Sequence, residues 1–287
     1  MVCNSLPAVR RYANPFTKDA PIKAFHRGLN RLILRYYMYL GVEPARLLLA
    51  GGEKSCRSPP YPVDLKNGRT RLVALHALDY DTYLQEKDRS QPGDDSIAVF
   101  LDSDDFYHLD LRRMGVPIPP WVETFYADLR AFFDQVERAR GVKIVIAAHP
   151  LSQYTPGQRA HFGEREVILG RTAELVRRSR FVITGPSTAV NLAVLFGKPV
   201  VFVTSHDYES YPFGPIIEAM AGELGKEPVY LDEPLKIDWD RELTVDGGVY
   251  HSYVRSYIKM EGSPDLPFWE IFSSFLEAWK GPERERE

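Results

Sequence analysis

The chain has 287 residues, of which 44% are hydrophobic and 26% are charged, and its formal net charge is −3 at pH 7. This balance is typical of a soluble globular protein and gives no overall electrostatic basis for binding nucleic acid. No apolar run reaches the roughly 20 residues that a membrane-spanning helix needs, and Cys3 and Cys56 form no metal-binding motif. We expect a cytoplasmic protein of one large or two modest domains.

The first part of the chain combines a basic segment with three short apolar runs. Residues 1–46 carry eight Lys or Arg side chains against Asp19 and Glu43, and the pattern predicts a helix over residues 21–41. We expect an ordinary solvated helix. The alternative is peripheral contact with the inner face of a membrane through this basic N-terminus. Three strands are predicted, within ARLLLAGG (45–52), RTRLVALHAL (69–78) and DSIAVFLD (95–102).

The second part of the chain alternates strands and helices. RRMGVPIPP (112–120) predicts a linker, and the helix after it is the clearest in the chain because one face gathers Phe125, Leu129, Phe132, Phe133 and Val136, with Gly141 as its C-cap. Strands are predicted at 143–148, 166–169, 181–184 and 199–203, with helices between them. This alternation predicts a parallel sheet of right-handed βαβ units.

The predicted fold class is therefore α/β, with two Rossmann-like lobes on parallel sheets and a small first lobe. We place an N-terminal lobe at residues 1–115 and a C-terminal lobe, ending in helices, at residues 116–287.

Ligands of open parallel sheets bind beyond the carboxyl ends of the strands, so the residues that follow each strand are the candidates for a site. Gly170, Arg171 and Thr172 follow one strand, and Gly185, Ser187 and Thr188 follow the next. Glycines permit close backbone approach, and helix starts attract phosphate. Ser187 or Thr188 is the predicted N-cap of the helix that runs to Phe196. The two adjacent helix starts predict a nucleotide-phosphate site, although Thr172 and Ser187 also suit plain helix caps.

His149-Pro150 ends the strand at 143–148. Proline stops strand pairing, so the imidazole is left at the strand tip. There it is suited to donate a hydrogen bond to a phosphate oxygen or to protonate a leaving group. A structural histidine is the alternative.

Acidic residues follow the strand that ends at residue 101. Asp102 is a candidate general base, with Asp104 and Asp105 as weaker candidates. Asp102-Ser103-Asp104 also matches an Asp-x-Asp pattern that suits Mg²⁺ or Mn²⁺, and a hydrated loop is a third interpretation. Asp79 and Asp81 sit similarly after an earlier strand and are weaker candidates for the same cleft.

The segments KIVIAAHP (143–150) and GRTAELVRRSRFVITGPSTAVNLAVLFGKPVVFVT (170–204) resemble the nucleotide-binding half of GT-B glycosyltransferases. The resemblance is greatest to bacterial enzymes of surface-polysaccharide assembly, in capsule or lipopolysaccharide, that use CMP-activated sugars, such as Kdo, sialyl and nonulosonate transferases. Those families share a His-Pro motif and a later Ser-rich turn that bind CMP, which implies this role for His149-Pro150 and Ser187-Thr188. Their acidic motif, a base or nucleophile, implies that role for Asp102.

The resemblance implies a metal-independent transfer of sugar from a CMP-sugar to a surface glycan or lipid-linked acceptor, with no cofactor. The N-terminal lobe would then bind the acceptor and the C-terminal lobe the nucleotide. Three alternatives remain open: a metal-dependent NDP-sugar transferase with Mg²⁺ or Mn²⁺ at Asp102 and Asp104, a CDP-glycerol-type phosphotransferase, and a non-catalytic lobe that binds nucleotide or a partner. The last follows from the shortness of the first lobe, since GT-B enzymes have two full Rossmann-like domains.

Overall fold

The computed structural model describes residues 43–55, 68–89, 93–152, 154–234 and 236–279, with the single residues 39, 41 and 65. Almost all of the basic segment and of the helix predicted at 21–41 lies outside the described residues. The chain divides into two compact units: one takes in the chain up to Asp81 and from Arg255 onward, and the other is Thr82–Val254.

The described strands are β1 (Leu47–Ala50), β2 (Arg71–Ala74), β3 (Ile97–Leu101), β4 (Lys143–Ala148), β5 (Val167–Leu169), β6 (Val182–Thr184), β7 (Val200–Thr204) and β8 (Val229–Tyr230). The described helices are α1 (Leu78–Glu86), α2 (Leu109–Arg113), α3 (Val122–Arg140), α4 (Pro156–Ala160), α5 (Thr172–Arg178), α6 (Val190–Leu195), α7 (His206–Glu209), α8 (Gly214–Glu223), α9 (Trp239–Glu242), α10 (Gly247–Tyr253), a π-helix (Val254–Ile258) and α11 (Phe268–Ala278).

The first unit is built on β1 and β2, which pair in parallel with Leu47 opposite Arg71. Helix α11 closes its core, a cluster of Leu49, Val73, Leu75, Phe268 and Ile271. The unit therefore joins an early part of the chain to its C-terminal helix.

The second unit contains six parallel strands in the order β5-β4-β3-β6-β7-β8. From β3 the chain adds β4 and β5 on one side of the sheet, then crosses over and adds β6, β7 and β8 on the other. Strands β6 and β7 are buried along their whole length, as expected when helices cover both faces of a parallel sheet. The predicted α/β fold class, with parallel sheets and a small first lobe, is confirmed.

Helix α3 follows its predicted pattern. Its five predicted core residues are all buried. Gly141 ends the helix in the left-handed conformation, at φ 63°, and its N–H donates to the Glu137 carbonyl. The amphipathic period and the glycine stop were sufficient to define this element.

The compact units divide the chain differently from a boundary at residue 115. Strand β3, which we expected in the first lobe, pairs with β4 and β6 in the six-stranded sheet. Helix α11, which we expected in the second lobe, packs in the core of the first unit. In RRMGVPIPP, Arg112 and Arg113 end α2 and the other residues form a loop, so the segment lies within the second unit and is not a linker between lobes. Which unit binds acceptor and which binds nucleotide stays a prediction.

Among the described helices, none has the length and apolar character needed to cross a bilayer.

Candidate functional site

The strand order of the second unit reverses between β3 and β6, so a crevice is expected at the carboxyl ends of these two strands. Asp102, Asp104 and Asp105 directly follow β3, Gly185 follows β6, and His149 follows β4 on the other side of β3. The acidic turn and His149 are therefore carried by neighbouring strands.

Asp102 is buried, with 8% of its surface exposed. Its Oδ2 accepts a short hydrogen bond from the Tyr154 hydroxyl, and its Oδ1 accepts from the Asp104 backbone N–H at 3.2 Å. Burial raises the pKa of Asp102 to about 6, although the hydrogen bond from Tyr154 opposes the rise. Asp102 thus holds the turn that follows β3 and is tied to the loop that follows β4.

Tyr154 is a functional candidate that sequence reasoning missed. Its hydroxyl accepts the His149 backbone N–H at 2.6 Å while donating to Asp102. The same oxygen therefore fixes the starts of both loops. The residue is buried and has a positive φ of 44°, which costs a non-glycine residue conformational energy. The only signal in the sequence was a tyrosine five residues after His149.

Asp104 is the second described non-glycine residue with a positive φ, at 55°. The two strained residues of the described chain therefore lie in one hydrogen-bonded cluster, and strain of this kind concentrates at functional sites. Burial raises the pKa of Asp104 to about 6, and Asp105 adds to the rise, while Ser152 and Arg112 oppose it.

Asp105 follows Asp104 and lies towards β6. Its Oδ2 is 3.6 Å from the point where a Cβ on Gly185 would stand. Burial raises the pKa of Asp105 to about 6, against hydrogen bonding by Ser103. Gly185 thus lets the β6 turn approach the acidic turn closely at the point where the strand order reverses.

The backbone N–H of His149 is used by Tyr154, so the strand ends at a hydrogen bond to a side chain and not at a ladder bond. Its ring Nδ1 accepts the Leu151 N–H at 3.3 Å, which places the proton of the neutral ring on Nε2. Burial lowers the pKa of His149, and His108, whose ring centroid is 5.4 Å away, lowers it further. His149 is therefore a neutral donor near pH 7.

A cleft of about 1260 Å³ opens beside these residues, between the acidic turn, α2, the start of α3 and the loop after β4. Its charged and imidazole lining includes Asp104, His108, Arg112, Arg130, His149 and His161. Asp104 lines the cleft, whereas Asp102 is not among its described lining residues. Both carboxylates are 8% exposed, and Asp104 is the one of the two that lines the cleft.

His161 is held on one wall of this cleft. Its ring stacks on Tyr126 at a centroid distance of 4.1 Å, and its Nε2 lies 3.2 Å from the Tyr107 hydroxyl. Arg130 donates to the His161 carbonyl at 3.1 Å. Sequence reasoning missed this wall because its residues come from α3, the C-cap of α4 and the turn after β3.

The two turns that were predicted to bind phosphate precede α5 and α6. Helices α5 and α6 pack against each other, so their predicted adjacency is observed. Arg171 is exposed, and its guanidinium pairs with Glu174 at 2.5 and 2.8 Å. Neither Arg171 nor Thr172 forms a side-chain cap on α5, where Gly170 supplies a positive φ of 76°. The binding role of these residues stays a prediction.

The second turn does not contain the predicted helix cap. Helix α6 begins at Val190 with Ala189 at the N-cap position, so the prediction of Ser187 or Thr188 as N-cap was wrong. Ser187 is buried, and its Oγ accepts the Ala189 N–H at 3.3 Å. Thr188 is exposed.

Asp81 has a local role in the first unit. Its Oδ1 accepts the Phe268 N–H at 2.8 Å, which satisfies a free donor at the first turn of α11. Asp79 is half-buried in the first turn of α1. The prediction that Asp79 and Asp81 share a cleft with Asp102 depended only on their position after a predicted strand.

In the part of the chain that the structure describes, no three His, Cys, Asp or Glu side chains are grouped as metal ligands.

No protein-family model matches the chain, and a search of curated proteins found no match to it. Among solved structures, similarity is found to the glycosyltransferase SnogD from Streptomyces nogalater, with a TM-score of 0.37 and 17% identity over 67% of this chain and 45% of that one. CalG4, the calicheamicin glycosyltransferase, is similar with a TM-score of 0.46 and 15% identity, over 93% of this chain and 64% of that one. MurG from Acinetobacter baumannii is similar with a TM-score of 0.35 and 9% identity, over 81% of this chain and 60% of that one. The chain thus spans less than two thirds of these proteins, and TM-scores this low assign no activity to it.

Proposed function

We propose that the protein is a glycosyltransferase, which moves a sugar from a nucleotide-activated donor to a hydroxyl group of a glycan or lipid-linked acceptor. The observation that carries the proposal is the pairing of Asp104 and His149 on one cleft at the carboxyl edge of a doubly wound sheet. One is a carboxylate that is largely ionised at neutral pH, and the other is a neutral imidazole with its proton on Nε2.

In this reaction the acceptor oxygen attacks the anomeric carbon, and Asp104 takes the proton of the acceptor hydroxyl. The bond from the anomeric carbon to the phosphate oxygen breaks, and its electron pair goes to that oxygen. His149 Nε2–H donates a hydrogen bond to the departing phosphate. We assign the base to Asp104 in place of Asp102, because Asp102 is occupied by Tyr154 and the Asp104 N–H.

For the donor we propose a CMP-activated sugar. Support comes from the resemblance of His149-Pro150 and Ser187-Thr188 to the CMP-binding motifs of surface-polysaccharide transferases. Arg112 and Arg130 on the cleft wall suit a phosphate or a sugar carboxylate. The nucleotide is the part of the proposal most directly open to test.

The test compares thermal melting and sugar transfer in wild type, His149→Ala and Asp104→Asn. Melting is followed with CMP, CDP, UDP, GDP and ADP, with and without Mn²⁺. A ligand at 100 times its dissociation constant stabilises by about 2.7 kcal/mol, which raises Tm by roughly 5–11 °C at ~2–4 °C per kcal/mol. We expect CMP to raise Tm with or without Mn²⁺. This rise should be smaller in His149→Ala and unchanged in the control His251→Ala, whose side chain is exposed.

Asp104→Asn should keep the nucleotide-induced shift while lowering kcat by about 10²–10⁴-fold, since a base is lost and the donor site is not. In wild type, kcat should fall as the pH drops through about 6, where Asp104 becomes protonated. A melting shift with UDP or GDP, and none with CMP, would support the proposed transferase function and contradict the proposed CMP-sugar donor. No shift with any nucleotide would refute the proposal.

A further inference from the structure

Three arginines gather at the amino ends of the two strands of the first unit. Arg46 directly precedes β1, Arg71 opens β2, and Arg69 lies two residues before Arg71. The Arg71 N–H donates to the Arg46 carbonyl at 2.8 Å, which holds the two backbones side by side. With Trp279 they line a cleft of about 550 Å³.

The charge of this cleft is unbalanced. Arg46, Arg69 and Arg71 are all exposed, and Glu43 is the one acidic residue among the described lining residues. Within the described chain no carboxylate lies within 4.0 Å of these three guanidinium groups, whereas Arg171 and Arg241 of the second unit are paired with glutamates. The described lining therefore holds three cationic side chains and one carboxylate, and an anion bound among like positive charges is stabilised.

Aromatic rings hold one of the guanidinium groups in place. Arg71 lies over the Phe275 ring at 4.9 Å from its centroid. Phe275 in turn stacks with Trp279, with ring centroids 6.1 Å apart and planes inclined by 25°. A stacked arginine keeps its N–H groups directed outward, so less side-chain entropy is lost when it binds an anion.

We propose that this cleft binds a phosphate-bearing ligand, whose oxygens receive hydrogen bonds from Arg46, Arg69 and Arg71. The planar guanidinium fork matches phosphate oxygens bidentately. Trp279 packs against the apolar or ring portion next to the phosphate. The phosphate belongs either to a phospholipid headgroup or to a soluble phosphate compound, and the inference does not depend on the proposed transferase activity.

The experiment measures binding of the full chain to two probes. One is vesicles of phosphatidylcholine, alone or mixed with phosphatidylglycerol, followed by co-sedimentation. The other is inorganic pyrophosphate, followed by calorimetric titration. Wild type is compared with the Arg46→Gln/Arg69→Gln/Arg71→Gln variant. The matched control, Arg89→Gln/Arg138→Gln/Arg241→Gln, removes the same charge from exposed positions in the second unit.

We expect the triple variant to bind about 100-fold more weakly than wild type, at roughly fivefold for each arginine, and the control to change by much less. Loss on phosphatidylglycerol vesicles alone identifies a lipid headgroup, and loss with pyrophosphate identifies a soluble ligand. Because Arg71 stacks on Phe275, the Arg46→Gln/Arg69→Gln variant repeats the test with that stack intact. Equal losses in variant and control, or no binding of either probe by wild type, would overturn the proposal.

Discussion

Tyr154 joins the two loops that carry the proposed chemistry, and its hydroxyl is the group to remove first. In Tyr154→Phe, the Asp102 carboxylate and the His149 N–H both lose their partner. Leaving buried groups unsatisfied costs about 1–3 kcal/mol. Since Tyr154 lowers the pKa of Asp102, more of Asp102 is protonated near pH 6 in the variant, and its repulsion of Asp104 is weaker. The acid limb of the pH–kcat profile, which reports Asp104, should therefore shift to lower pH. Tyr154 is proposed as a positioning residue, which does not itself touch substrate.

The control is Tyr250→Phe, which removes a hydroxyl that donates to the Lys198 carbonyl at 2.8 Å. It should lower Tm by a similar amount and leave the pH profile unchanged. If both variants give the same profile as wild type, Tyr154 has only a structural role.

Asp102 should make the stability of the protein depend on pH in a defined direction. Its folded-state pKa of about 6 lies above the ordinary value of 3.8, so between these values the unfolded chain loses the proton first. Stability therefore falls as the pH rises from about 4 to about 6, and the loss is complete above that range. Asp102→Asn removes this loss.

Urea unfolding at pH 4 and pH 7.5 measures this effect. The free energy of unfolding of Asp102→Asn, relative to wild type, should rise by roughly 3 kcal/mol between the two pH values, from about two pKa units at 1.36 kcal/mol each. A relative stability that stays constant with pH would show that Asp102 is not the buried acid we describe.

At the scale of elements, the turn after β1 depends on close backbone contact. A Cβ on Gly52 would stand 2.5 Å from the Ser256 carbonyl oxygen. The neighbouring Glu53 and Lys54 N–H groups donate to the Arg255 and Ser256 carbonyls at 3.1 and 2.8 Å. The two glycines that end ARLLLAGG therefore mark a backbone contact and not only a turn.

Gly52→Ala should destabilise the protein by more than about 1 kcal/mol, because backbone must move to admit the methyl group. The control is Gly222→Ala in α8, where a Cβ meets nothing within 4 Å. That change should stabilise by up to about 1 kcal/mol through helix propensity. Chemical denaturation would show whether each substitution lowers or raises the free energy of unfolding. A Gly52→Ala variant as stable as wild type would contradict the close backbone contact.

At the scale of the whole molecule, the two units should differ in how they respond to damage. Phe268 is 1% exposed in the core of the first unit, so Phe268→Ala is expected to cost about 3–5 kcal/mol. The described part of this unit has two strands, so its described core offers little to offset this loss. Hydrogen exchange should then accelerate in β1 and β2 while β3 and β4 stay protected.

The control for this experiment lies on the same helix. Trp269 is 61% exposed, so Trp269→Ala should leave the exchange of β1 and β2 near the wild-type rate. Equal acceleration in both units after Phe268→Ala would mean that they unfold as one cooperative body.

The sequence by itself determined the alternation of strands and helices, the buried face of α3 with its glycine stop, and the run of polar residues after each strand. These features depend on local periodicity and on residues such as Gly141 and Pro150, whose backbone preferences act within a few positions. It also singled out Asp102 and His149, which the structure brings together on neighbouring strands.

Only the tertiary structure decided which carboxylate lines the cleft, that Tyr154 bridges the two loops, that β3 belongs to the larger sheet, and that Asp81 serves α11. Each of these depends on a hydrogen bond or strand pairing between segments that no local pattern connects. Asp81 and Phe268, for example, are separated by 187 positions. A sequence pattern shows which residues are available for such pairings, and the packed fold selects among them because burial penalises every polar group left without a partner.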